Sequence, residues 1–329
     1  MKRTLLFIFI FLTITCNAQA STLPENKAVF QLGNDKYILN DIEQIMDTIP
    51  FISNGRVFIP VRYLAHVCGI EDKNISWEPV TQKVTLNLDN KYLQLKVGSK
   101  QLIENRQIAN MDTAPIIISD RVFLPARWIA EAYNYKIEWN QESKAVIIYP
   151  QGDTKPAAPE QSAVLLVNKI HPLPTAYEPG TLEDFNGYKI SKSIKNALQA
   201  LFMAAGKQSI NLTVNSGYRD AERQKQIFDE QVSELGLQAA REAVALPGFS
   251  EHQTGLAVDI GDDSNNYSWL KVNSWRYGFI QRYPEGSEGI TGYAYEPWHF
   301  RYVGIPVASF MHVNKVQTLE EFIDIYIGE

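Results

Sequence analysis

Cysteine is almost absent from this 329-residue chain, histidine is rare and basic residues are outnumbered; each shortage removes a class of explanation. The two cysteines are Cys16 and Cys68. Cys16 lies in an apolar N-terminal stretch. If that stretch is cut away, Cys68 stands alone, no internal disulfide can form, and an exported chain must be held by packing or by metal. With 31 Lys and Arg against 37 Asp and Glu the formal charge is −6, and losing Lys2 and Arg3 with no acid takes it to −8. That balance speaks against nucleic acid as a partner. After residue 20 no run approaches the roughly 20 apolar residues of a membrane span. The five histidines are few enough for each to be asked what it does.

What is present begins with an export signal. Lys2 and Arg3 precede an apolar run from Leu5 to Leu12, and Ala18, Gln19 and Ala20 offer a small-x-small cleavage site. This layout predicts a signal peptide over residues 1–20, with the mature chain starting near Ser21. Thr13 stands where lipoprotein signals carry an aliphatic residue, so lipid anchoring at Cys16 is disfavoured.

An internal repeat organises residues 21–150. M-D-T-I-P at 46–50 recurs as M-D-T-A-P at 111–115, and R-V-F-I-P-V-R-Y at 56–63 recurs as R-V-F-L-P-A-R-W at 121–128, both offset by 65. Each copy continues with a short helical stretch, a tryptophan (Trp77; Trp139) and an alternating strand, V-T-L-N-L at 84–88 or A-V-I-I-Y at 145–149. Alternation with β-branched residues predicts strands, and the repetition predicts two copies sharing one β-rich core. His66 beside Cys68, in an apolar helix-end context, reads as core packing. The arrangement resembles the copper amine oxidase N-terminal-like domain, an appendage of exported bacterial proteins, although nothing in these residues implies copper or amine oxidation. Residues 151–163, Q-G-D-T-K-P-A-A-P-E-Q-S-A, read as a linker. A second domain occupies 164–329.

The chemistry lies in that second domain. Ile194, Leu198, Leu201, Phe202 and Ala205 have helical spacing, with Gly206 as a stop. Ile210, Leu212 and Val214 then alternate into Ser216, Gly217, Tyr218 and Arg219, and a second amphipathic helix closes at Gly236. Arg219 therefore sits where a strand hands over to a helix, a junction that suits an anion or oxyanion. In S-E-H-Q-T-G-L-A-V-D, residues 250–259, His252 and Asp259 bracket Gly255, so a turn can fold both onto one cavity. Pro297 in E-P-W-H rules out a helix interior; His299 is expected to begin a strand, with Glu296 on the turn before it. Two histidines and one carboxylate are a common catalytic zinc set, and Glu296, three residues from a ligand, is placed as a general base. Singly, each residue has a plainer reading as a packed histidine, a strand-end aspartate or a salt-bridged arginine, and spacing alone leaves these open. His171 and His312 look peripheral.

S-G-Y-R-D with Gln224, then G-F-S-E-H-Q-T-G-L-A-V-D-I, then E-P-W-H-F-R-Y-V-G resemble the three signature blocks of the VanY-type zinc D-alanyl-D-alanine carboxypeptidases and their LD-carboxypeptidase relatives, in the family's order. L-L-V-N-K-I-H-P-L-P at 165–174 resembles the segment that opens the family's domain, so the likeness spans 164–310. The resemblance implies an α+β fold: a small antiparallel sheet with flanking helices holding a zinc groove, preceded here by the smaller β-rich repeat domain. It implies Zn2+ held by His252, Asp259 and His299, with Glu296 as catalytic base and Arg219 holding the charge that develops on the scissile carbonyl. Ser216, Gln224 and Ser250 match positions lining the substrate pocket. The activity implied is removal of the terminal D-alanine from peptidoglycan stem peptides, with DD or LD specificity, by a secreted, wall-associated enzyme; the repeat domain is a candidate for wall attachment. Within enzymes the alternative is a zinc endopeptidase on the same peptides. Outside them it is a zinc-stabilised wall-binding module, which would have no need of Glu296 and Arg219.

Overall fold

The computed structural model describes residues 26–160, 163–175, 177–262 and 267–328, so residues 1–20, read above as a signal peptide, and Cys16 lie outside the described residues. In the C-terminal half, the helix Lys192–Gly206 buries Ile194, Leu198, Leu201 and Ala205 along one stripe, and the Ser191 side chain caps it by accepting from the Ser193 amide. The stripe lies on an antiparallel sheet whose strands run in the order Leu212–Ser216, Ala257–Asp262, Glu296–Tyr302, Phe279–Tyr283. Val258, Ile260, Phe279 and Phe300 meet the helix in this core. Side chains alternate across a strand, so the neighbours Asp259 and His299 turn to the opposite face. Ser216 partners Asp259 and Asp259 partners His299, which makes one row across three strands. A further helix, Ala221–Leu235, begins directly after Arg219, with Asp220 as its cap.

The repeat region forms three antiparallel sheets. At its centre Arg56–Pro60 pairs with Arg121–Pro125, setting Phe123 opposite Pro60, Leu124 opposite Ile59 and Pro125 opposite Phe58. Each copy of the R-V-F motif thus pairs with the other about a pseudo-two-fold axis between Ile59 and Leu124. The strand Ala28–Gln31 pairs with Ala145–Pro150, bringing the first and last strands of the region together. Leu64, Val67 and Cys68 of one copy pack with Ile129, Ala130 and Tyr133 of the other. Burial pushes the Cys68 thiol up to about 12, which keeps it unreactive. His66 departs from the core packing expected of it. Its side chain is 30% exposed and its Nε2 lies 2.9 Å from Asp72 Oδ1, because the helix turns Leu64, Ala65 and Val67 inward and leaves His66 on the rim. Among the described residues no helix is long and apolar enough to cross a membrane.

The two halves share a core. Phe51, Phe58 and Phe123 of the central repeat sheet cluster with Phe310 and Met311 of the helix Ile305–Val313 and with Phe322, Ile323 and Ile327 near the chain end. The Phe51 ring lies 5.3 Å from that of Phe310 and 5.9 Å from that of Tyr326. Lys144 Nζ donates to the Gly328 carbonyl at 2.6 Å. Gly33, at φ +72°, would carry any Cβ to within 2.7 Å of the Val164 side chain, so the turn after the first strand packs closely on the start of the second half. Polar linker composition cannot reveal such an interface. Phe51→Ala removes a fully buried ring from it and is expected to cost about 3–5 kcal/mol. Urea unfolding of the full chain should show a transition shifted for both halves; an unmoved midpoint would mean that the halves do not share this core in solution.

Candidate metal centre

The row Ser216, Asp259 and His299 supplies the floor of a groove of about 390 Å³. His252 reaches it from the short turn Glu251–Thr254, which ends at Gly255 in the left-handed region at φ 71°. Thr254 Oγ1 knits the turn by accepting from the Leu256 amide at 2.9 Å. His252 Nδ1 sits 2.7 Å from the Gly217 carbonyl, a bond that requires an Nδ1 proton and so leaves the Nε2 lone pair facing inward. Nε2 lies 3.4 Å from Asp259 Oδ1, and His299 Nδ1 lies 3.2 Å from the same oxygen. One donor atom from each of the three residues falls within 4.8 Å of the others.

Whether these residues fit a metal is tested by Asp259 Oδ1. It is buried and has no hydrogen-bond partner among the described residues, although two imidazole nitrogens flank it. A buried carboxylate oxygen left unpaired is costly. A dication between the three donors would satisfy all of them at once, and two nitrogens with one carboxylate oxygen are the donor set of an open tetrahedral zinc site. Burial pulls the His252 imidazole below its usual range. Burial also opposes charge on His299, but the carboxylates of Asp259 and Glu251, 3.2 and 3.4 Å from its ring nitrogens, prevail and raise it to about 9.

The second nitrogen of His299 identifies a residue that sequence reasoning missed. His299 Nε2 lies 3.4 Å from Glu251 Oε2, and neither atom is hydrogen-bonded elsewhere among the described residues. The other Glu251 oxygen accepts from Arg282 Nε and Arg301 Nη1, both at 2.8 Å. Arg282 continues to Glu320 at 2.6 Å, and Arg301 to the Leu165 carbonyl at 2.9 Å. Burial opposes ionisation of Glu251, yet the two guanidiniums hold its carboxyl well below the usual range. A carboxylate on the far nitrogen of a ligating histidine fixes the ring's orientation and tautomer. The only sequence signals were the position of Glu251 beside His252 and the two-residue step from His299 to Arg301.

Glu296 begins the strand Glu296–Tyr302 and pairs with Tyr283, so it stands in the sheet and not on a preceding turn. Its Oε2 is 3.6 Å from His299 Nδ1. Burial raises its carboxyl above the usual range, against the pull of His299. Arg219 is held from three sides: Nε donates to Ser216 Oγ at 3.0 Å, Nη1 to Gln224 Oε1 at 3.2 Å and Nη2 to Asp259 Oδ2 at 3.3 Å. Ser216 and Gln224 line the groove, as Ser250 does, but their bonded oxygens serve Arg219. The Gln224 amide also donates to the Ala245 carbonyl at 2.8 Å, which ties the segment after the helix Leu237–Ala243 to the groove wall. Tyr283, Tyr293 and Trp298 complete the wall.

Fold and centre together place the C-terminal half among α+β domains built round a two-histidine, one-aspartate centre. Comparison with known proteins then gives the family. Residues 187–305 match the family model described as D-alanyl-D-alanine carboxypeptidase, VanY. Residues 17–74 and 38–148 match the copper amine oxidase N-terminal domain. The chain is 43% identical over 186 residues to the putative carboxypeptidase YodJ of Bacillus subtilis, covering 50% of this chain and 68% of that protein. It is 41% identical over 195 residues to a D-alanyl-D-alanine carboxypeptidase of Enterococcus faecalis, covering 53% and 72%. A solved zinc complex of a mutant of the vancomycin resistance D,D-pentapeptidase VanY is 43% identical, covering 48% of this chain and 97% of that one at a TM-score of 0.46. The chain belongs to the VanY family of D-alanyl-D-alanine carboxypeptidases.

Metal uptake should be linked to protons through His299, which must release its Nδ1 proton to bind. With that proton held up to about 9, zinc affinity is expected to climb about tenfold per pH unit between 6 and 8. Glu251→Gln should weaken it by about 10- to 100-fold at fixed pH. Chelator competition measures both, and an affinity indifferent to Glu251 would remove the orienting role.

Proposed function

We propose that the protein is an exported zinc carboxypeptidase that removes the C-terminal D-alanine from peptidoglycan stem peptides. The observation that carries this reading is the buried, unpartnered Asp259 Oδ1 between two imidazoles, with Glu296 beside them. Family membership supplies the substrate class, and the donor set favours zinc. Zinc held by His252, Asp259 and His299 would supply a Lewis acid and a water ionisable near neutral pH.

The remaining chemistry belongs to the chain's own side chains. Glu296, beside His299 in the groove, accepts the proton of the attacking water and returns it to the departing amine. Arg219 remains charged despite its burial, since a guanidinium does not deprotonate in proteins. Arg219 lines the groove, and the two N–H bonds it does not give to Ser216, Gln224 and Asp259 serve the oxygen on which negative charge collects. Ser216 and Gln224 hold the guanidinium in place, so little reorganisation accompanies the reaction. Arg223 joins Arg219 in lining the groove. With Arg219 engaged at the oxyanion, the Arg223 guanidinium is the group that favours a substrate ending in a free carboxylate, and hence trimming over internal cleavage.

Glu296→Gln is expected to keep zinc and lose turnover by roughly 10²- to 10⁴-fold. Mass spectrometry of defined pentapeptide and tetrapeptide stems, incubated with the zinc-loaded protein and with this variant, reads the loss of one alanine directly. Loss from the pentapeptide alone marks DD specificity and loss from the tetrapeptide alone marks LD specificity. Release of larger fragments, or full activity in the variant, would contradict the proposal.

A further inference from the structure

The repeat domain carries two grooves related by the 65-residue offset, apart from their tryptophans Trp77 and Trp139, which are 62 residues apart. One, of about 730 Å³, is lined by Asp47, Tyr63, Trp77, Ile117 and Arg121. The other, of about 510 Å³, is lined by Ile52, Arg56, Asp112, Trp128 and Trp139. Each is assembled from both repeats. In the first, Arg121 Nε of the second repeat donates to Asp47 Oδ2 at 2.5 Å, while the Tyr63 hydroxyl donates to Oδ1 at 3.0 Å. In the second, Arg56 Nε donates to Asp112 Oδ2, and Trp128 Nε1 donates to Oδ1 at 2.8 Å.

These ion pairs staple the repeats together, but stapling does not account for the rest of the lining. The four paired side chains remain 40–48% exposed, and beyond Nε the Arg121 guanidinium donates to no described residue. Trp77 and Trp139 are 38% and 36% exposed, and each lines its groove beside the Asp–Arg pair. Each groove therefore offers a flat apolar ring face next to both donors and acceptors. Arg62 and Arg121 stand with Asp47, Asp72 and Asp120 in the first, and Arg56 and Arg127 with Asp112 and Glu138 in the second. Charge of both signs so nearly matched does not select a polyanion or a polycation. The edge strands that border the grooves, Ile116–Ile118 and Phe51–Ser53, are three residues long, too short for a peptide to add as a strand. A neutral ring with a C–H face and a rim of hydroxyl and amide groups fits both surfaces. Two like sites on one domain also match a ligand that repeats, because the second contact gains from the effective concentration set by the first.

We propose that these grooves bind the sugar rings of a neutral, N-acetylated glycan strand and hold the enzyme on the polymer whose stem peptides it trims. The choice of polymer rests on the proposed function; the grooves themselves do not. The test uses the full chain with an insoluble polymer of N-acetylglucosamine, which is neutral, and with its soluble oligomers, read by co-sedimentation and titration, with soluble stem peptides and a proline-rich peptide as controls. Trp77→Leu and Trp139→Leu keep apolar bulk and remove the indole. Each should lower retention several-fold, and the pair together by at least about tenfold, with hydrolysis of a soluble pentapeptide unchanged. If either variant melts early, hydrogen exchange on the unaltered chain decides instead, by protection of Ile75–Glu78 and Tyr135–Asn140 at saturating oligomer. Absence of retention by the unaltered chain, retention unchanged in the double variant, absence of that protection, or capture only through stem peptides or by a proline-rich peptide would overturn the proposal. Peptide hydrolysis is scored separately, so a failure of the carboxypeptidase reading would show there and not in the glycan arm.

Discussion

The register between two strands is the constraint on which the centre depends. Asp259 faces His299 across the ladder, while their neighbours Val258 and Phe300 face each other on the opposite side, against the helix core. A slip of one residue in either strand would drive its polar side chain into that core and bring an apolar one to the groove. The apolar alternation that buries Val258, Ile260 and Phe300 is thus the same pattern that delivers the ligand pair. His252 needs only the left-handed turn at Gly255 to join them, and Gly217, on the strand-to-helix junction that carries Arg219, supplies the carbonyl that orients its ring.

A second layer ties this centre to the rest of the molecule. Glu251 is wedged between His299 and two guanidiniums, and Arg282 passes the contact to Glu320. Glu320 lies on the turn Leu319–Phe322, whose Leu319 and Phe322 belong to the core shared with the repeat domain. Buried charges removed singly leave a partner unsatisfied, at a cost of about 3–5 kcal/mol. The chain end, the interdomain core and the orientation of His299 therefore form one continuous support. The repeat domain is packed against the catalytic half as a structural partner, and its grooves are held in a fixed body.

Much of this was legible from residue order. Apolar spacing marked the helix that ends at Gly206 and the one that ends at Gly236, and the 65-residue offset marked the duplicated unit. His252, Asp259, His299, Glu296 and Arg219 were all read as one constellation, and the structure brings them into one groove. Glu251 escaped notice because a glutamate beside a histidine on a polar turn normally faces water; Arg282 and Arg301 escaped because full burial of arginine is rare unless paired. Glu296 was displaced onto a turn by too strict a reading of Pro297. The neighbouring strand's pairing, traced back from Ala257 opposite Arg301, ends at Asp259 opposite His299, so the proline lies beyond that ladder, where its missing N–H costs little. His66 was read as core from its apolar helix-end context, which does not distinguish an inward helix face from its rim. The shared core was invisible because each half reads as a complete amphipathic unit on its own.

The central claim is that His252, Asp259 and His299 hold one zinc ion. X-ray absorption on the zinc-loaded full chain, beside metal analysis of Asp259→Ala, tests it most directly. The account predicts about one zinc per chain in a four-coordinate shell of nitrogen and oxygen with two imidazoles and no sulfur, and loss of that ion in the variant. A chain that takes up no zinc while hydrolysing stem peptides, or a variant that keeps an unchanged zinc shell, would contradict it.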